Sequence, residues 1–177
     1  MENIASSGWL VLRFSASNWP KIRLALNANA LRHFYPMRIV TDEDGKTKSV
    51  PALPGYVFVR GTMDDLLKFK REEIGEKDRL KFAMDAETGK PRWFSDELFS
   101  HFMKVAEQFE KGIEYLDPAR EVNVKHGPKV RVAADGPFFG VEGEYVRVRS
   151  NRCVVVRLGG LLTVATPFIK PDAVVEI

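Results

Sequence analysis

Apolar positions along the 177-residue chain follow two rhythms, and the change comes near residue 128. Residues 9–14 form a short apolar run rich in strand formers, read as a strand at the edge of a sheet. Ser17 or Asn18 then offers a helix cap, and Pro20 fits a first turn whose backbone donors are unpaired anyway. Ile22, Ala25, Leu26 and Ala30 recur at helical spacing behind it. A second strand is expected over residues 34–40, closed by an acidic turn ending in Asp44-Gly45. Leu53-Pro54-Gly55 feeds a strongly apolar third strand, residues 56–59. Thr62 with Asp64 and Asp65 opens a second helix, because a side-chain oxygen caps it and the carboxylates suit its positive end. After a turn at Thr88-Gly89-Lys90, Ser95 starts a third helix with Leu98, Phe102, Val105, Ala106 and Phe109 on one face.

Residues 111–128 lose this periodicity and contain Gly112, Pro118, Gly127 and Pro128, the composition of a linker. Beyond them the period is two: residues 129–133, 145–149, 152–158, 161–166 and 173–177 read as short strands, with Gly159-Gly160 as a hairpin loop. The expected fold class is α+β. An N-terminal α/β sandwich, with helices on one face of a mainly antiparallel sheet, occupies residues 1–112. Residues 113–126 link it to a small five-stranded β-barrel over residues 127–177.

Composition narrows the function classes. Hydrophobic residues at 45% and charged residues at 29% are ordinary for a globular chain. The one cysteine, Cys153, excludes an intramolecular disulfide framework and reads as a buried inert thiol. The longest uncharged run, residues 158–169, is twelve residues long, whereas a membrane-spanning helix needs about twenty. A start of Met-Glu-Asn reads poorly as a signal peptide, so a cytoplasmic protein without membrane attachment, monomeric, is expected.

Net charge is only +3, but its distribution is uneven. Residues 3–41 contain no acid and carry Arg13, Lys21, Arg23, Arg32 and Arg38, interleaved with Trp9, Phe14, Trp19, Phe34 and Tyr35. Cations neutralise phosphates and aromatic faces stack on unpaired bases, so this mixture suits a nucleic-acid strand. The same pattern also fits Trp9, Phe14 and Phe34 in a core, with Lys21, Arg23 and Arg32 on a solvated helix face. Residues 145–171 are a second acid-free stretch, with Arg147, Arg149, Arg152, Arg157 and Lys170; an ordinary solvated strand face would look alike.

Catalytic signals are poor. His33, His101 and His126 lie far apart with no ligand-like spacing, so neither a metal site nor a cofactor is expected. The glycine-rich stretch 136–143 is followed by a strand pattern, whereas a phosphate cradle opens a helix, so it reads as a shaped turn. No catalytic residue is assigned, and the chain is not read as an enzyme.

Several segments resemble the NusG-type transcription elongation factors. Trp9-Leu-Val-Leu opening a β-α-β unit, followed by Leu-Pro-Gly-Tyr-Val-Phe-Val at 53–59, is similar to the family's N-terminal domain. Lys129-Val-Arg-Val, then Asp135-Gly-Pro-Phe-Phe-Gly and Glu142-Gly143, is similar to its C-terminal KOW motif, an SH3-like barrel. The resemblance implies an N-terminal domain seated on RNA polymerase beside the non-template DNA strand, suppressing pausing. It implies a polymerase-binding role for Trp9, Leu53, Pro54 and Tyr56. Phe138 and Phe139 would face the barrel's partner, a ribosomal protein or a termination factor. Lys21, Arg23 and Arg32 are assigned to DNA from charge and position alone. Where housekeeping members carry a Gly-Phe-Leu/Val-Gly turn, this chain reads Leu80-Lys-Phe-Ala-Met-Asp, a drift closer to specialised antiterminators of the RfaH and UpxY kind. The expected function is antitermination at selected operons, such as those for polysaccharide biosynthesis. The alternatives are a general elongation factor and a ribosome-associated RNA-binding KOW protein.

Overall fold

The computed structural model describes residues 6–75 and 80–177. They fall into two compact units: one holds the chain up to Pro36 and Leu53–Asp96, the other Met37–Ala52 and Glu97–Ile177. Both are built from antiparallel strands with helices, an α+β fold. Among the described residues no helix is long and apolar enough to cross a membrane.

In the first unit β1 (Gly8–Arg13) is central, paired with β5 (Tyr56–Gly61) on one side and with β6 (Lys81–Phe82) and β7 (Trp93–Phe94) on the other. The edge position expected for it is corrected. A run with five consecutive buried residues needs cover on both faces and a neighbour on both sides. The strand expected over residues 34–40 is two strands. β2 (His33–Phe34) pairs with β5, while β3 (Met37–Thr41) forms a separate hairpin with β4 (Thr47–Pro51). Pro36 separates them, and with no N–H to give it cannot continue a ladder. The acidic turn closes that hairpin as expected: Asp42 Oδ1 accepts from the Asp44 and Lys46 amides at 3.0 and 2.9 Å.

Helix α1 (Trp19–Ala28) buries Ile22 and Leu26 and carries Pro20 in its first turn. Ala30, read as part of its face, lies beyond its end with φ +53. The Leu31 amide reaches back to the Leu26 carbonyl at 3.0 Å and the Ala30 amide to Asn27 at 3.1 Å, which is a Schellman closure. Helix α2 (Met63–Glu73) opens with a reciprocal capping box, Asp65 N–H to Thr62 Oγ1 and Thr62 N–H to Asp65 Oδ2, both 3.1 Å. Leu66 and Phe69 from α2 join Leu10, Leu12, Ile22, Leu26, Val57 and Val59 in one core.

Helix α3 (Asp96–Ala106) buries Phe99, Phe102, Val105 and Ala106. Leu98, expected on that face, is 37% exposed, and Phe99 takes its place. In the second unit a six-stranded antiparallel sheet runs β13 (Val174–Glu176), β9 (Lys129–Val132), β10 (Glu142–Val148), β11 (Asn151–Leu158), β12 (Leu162–Ala165), β8 (Glu114–Leu116). The five strands expected are present; the sixth, β8, comes from residues expected to form the linker, as does the short helix α4 (Pro118–Glu121). Leu116 and Val124 pack on Val146, Val148, Cys153, Val155 and Ala165. That cover explains why Cys153-Val-Val-Val is buried throughout instead of alternating.

Candidate functional site

The turn before β5 is held by a close backbone contact. Gly55 has φ +80, and its carbonyl accepts the Phe14 amide at 2.8 Å. A Cβ there would stand 2.5 Å from the Phe14 carbonyl oxygen, so only glycine fits. The turn leaves Pro54 exposed and Leu53 and Tyr56 half-buried. Beside it three half-buried rings cluster: Phe14 stacks on Trp19 at 5.7 Å between centroids, and Tyr35 lies tilted against Trp19 at 4.0 Å. Burial pushes the Tyr35 hydroxyl above its ordinary value of 10.0, against an opposing hydrogen bond with the Gly55 backbone. The strand registers set Arg13 opposite both Tyr56 and Lys81, and these three line a cleft of about 330 Å³ with Phe14, Ser15 and Gly55. A prolyl tip, partly bared rings and two cations make a surface suited to binding.

The other residues assigned from sequence are more scattered. Trp9 is 1% exposed, with the Arg32 guanidinium 5.3 Å from its ring centroid, so it offers a partner no area of its own. Asp96 lies beside both: hydrogen bonds from Arg60 first, and from Trp9, with the nearby Arg32 charge, hold its carboxyl below the usual range. Lys21 and Arg23 are both exposed on α1, but residues two apart on a helix do not share a face. The three cations assigned to DNA are therefore not gathered on one face of α1. Phe139 is 51% exposed and Phe138 half-buried, in a turn with Gly136 and Gly140 at positive φ. Lys104 of α3 donates to the Phe139 carbonyl.

Residues 7–83 match a protein-family model described as "NusG: Transcription termination factor nusG". The NusG match spans β1, α1, the Gly55 turn, β5 and α2. A solved structure titled "Domain interaction in Thermotoga maritima NusG" aligns over 99% of this chain and 99% of that chain, at 19% identity and a TM-score of 0.43. No curated protein matches the sequence.

Within the NusG-matching segment, Lys81 carried no sequence signal. It sits on a two-residue strand too short for any period, and only pairing with β1 brings it to Arg13. The clustering of Phe14, Trp19 and Tyr35 is foreshadowed by their place in one basic-aromatic stretch; the contact with the Gly55 turn is not.

Outside that segment Glu97, His101 and Glu142 bring one ligand-type atom each within 4.8 Å of the others. The hydrogen bonds argue against a cation there. The Glu142 amide donates to His101 Nδ1 at 3.1 Å, so in the neutral ring the proton lies on Nε2, which faces Glu142 Oε2 at 3.6 Å. Glu142 Oε1 is already taken by Arg131, at 2.6 and 2.9 Å, and these bonds hold its carboxyl below the usual range. The cluster braces α3 against β10.

Proposed function

We propose that this chain is a non-catalytic transcription elongation and antitermination regulator that binds RNA polymerase. The observation carrying this reading is that the NusG match falls on the segment containing the Gly55 turn and its ring cluster. Leu53, Pro54 and Tyr56 would contact the polymerase, with Phe14 and Tyr35 extending the apolar surface; Trp9, buried opposite Arg60 at the other end of β1, would not itself touch the partner. Burial of such a surface contributes roughly 25 cal/mol per Å² before the costs of association. Lys21, Arg23 and Arg32 would act locally on the non-template DNA strand, joined by Arg13 and Lys81.

Action at selected operons, such as those for polysaccharide biosynthesis, is favoured over a general role. What supports this is residues 80–85, which read Leu-Lys-Phe-Ala-Met-Asp where housekeeping members of the resembled family carry a Gly-Phe-Leu/Val-Gly turn. Phe138 and Phe139 would meet the second partner, a ribosomal protein or a termination factor. The test is elongation in vitro on templates with and without an operon leader upstream of a terminator. Added protein should raise readthrough on the leader template; equal effects on both would assign a general factor, and no effect on either would refute the reading.

A further inference from the structure

A second cationic feature lies in the unit that holds the β8–β13 sheet. A groove of about 720 Å³ runs along the β10–β11 hairpin and the segment leading into β9. Arg120, Lys125, Arg147, Arg149 and Arg152 line it, and no Asp or Glu does among the described residues. Two carboxylates lie just outside: Glu114, shared by Arg120 at 2.5 Å and Arg149 at 2.9 Å, and Glu144, which is held by the lining His126 at 2.8 Å and by Arg157. Arg147 and Arg152 stand directly opposite each other in the hairpin register, both exposed. Like charges in that position weaken a strand pair. Among the described residues neither has a carboxylate within ion-pair distance, nor has Lys125. Arg152 lies instead over the Tyr145 ring, 5.7 Å from its centroid.

We propose that this groove binds the phosphodiester backbone of a nucleic-acid strand. An anion bridging Arg147 and Arg152 would turn their repulsion into attraction, and guanidinium forks match phosphate oxygens two at a time. The lining also selects against an acidic peptide. Tight peptide recognition relies on buried apolar anchors, and the groove's one aromatic, Tyr145, is 8% exposed with its hydroxyl donated to the Ile169 carbonyl at 2.7 Å. A phosphate chain needs no such anchor, because released counterions supply the affinity. The proposal does not depend on polymerase binding.

Filter binding of the full chain, without polymerase, tests it with a labelled RNA of about 20 nucleotides and DNA of the same sequence. Each single-strand phosphate contact contributes about 0.7 to the slope of log affinity against log salt. Lys125→Gln with Arg147→Gln should therefore make the slope shallower by about 1.4, while Arg147→Lys retains it. Lys68→Gln with Lys90→Gln, two exposed cations of the other unit, should leave the slope as it is in the wild type. Equal binding of RNA and DNA identifies phosphate as the ligand; tighter RNA binding adds a 2′-hydroxyl contact. An unchanged slope in the double variant, with an unchanged circular dichroism spectrum, would overturn the proposal. So would displacement of the RNA by polyglutamate at equal charge concentration.

Discussion

Ala30 and Cys153 show how one residue's surroundings fix its behaviour. Ala30 occupies a left-handed position at the end of α1 that glycine adopts without steric cost. Ala30→Gly should stabilise the chain by roughly 0.5–1 kcal/mol, the relief of strain exceeding the added unfolded-state entropy; a urea midpoint that falls would refute this. Cys153 is 3% exposed, and burial first, then the Glu114 charge, pushes its thiol up to about 11. At pH 8 only about one molecule in a thousand carries the thiolate. A disulfide reagent should react on unfolding and not before. Cys153 was legible in advance, since a lone cysteine in an apolar strand has few other places to go. Ala30 was not, because helical spacing says nothing of where the helix stops.

At the scale of elements, the capping box of α2 and the Asp42–Gly45 turn were readable because each is local chemistry over a few residues. Elements that depend on distant cover were misread. The central place of β1 follows from two later strands, and the exposure of Leu98 from which side of α3 is covered. Residues 111–128 read as linker-like because Gly112, Pro118, Gly127 and Pro128 interrupt them, yet Leu116 and Val124 supply the second cover of β11. Arg157 fastens this segment: it bonds Glu121 at 2.8 Å and donates to Glu144, so it is not part of a free cationic face. Burial raises Glu144, but hydrogen bonds from Arg157 and His126 outweigh it and leave the carboxyl below its ordinary 4.5. A depressed carboxyl stabilises the folded state above its unfolded value, and that contribution is lost as pH falls through the folded value. The thermal midpoint should therefore drop below pH about 4.5, and Glu144→Gln should flatten that limb. Identical profiles in the two proteins would contradict this assignment.

On the scale of the whole molecule, net charge was the least informative number and its placement the most. The +3 arises beyond residue 117, where nine cations face six acids. In the structure much of that excess gathers along one hairpin groove, while Arg131 and Arg157 are paired with carboxylates. The first unit offers a different surface: a glycine-dependent turn, three clustered rings, and Arg13 and Lys81 opposite each other in the strand register. Its motif was legible because the Leu53-Pro54-Gly55-Tyr56 turn is contiguous, whereas the cleft is assembled from residues far apart in sequence. The proposed function requires this surface to meet RNA polymerase. The most direct measurement is equilibrium binding of purified polymerase to the wild-type chain and to Leu53→Asp. At least a roughly tenfold loss of affinity is expected, since a half-buried apolar contact becomes an unpaired charge at the interface, with an unchanged circular dichroism spectrum. Full affinity in the folded variant would contradict it.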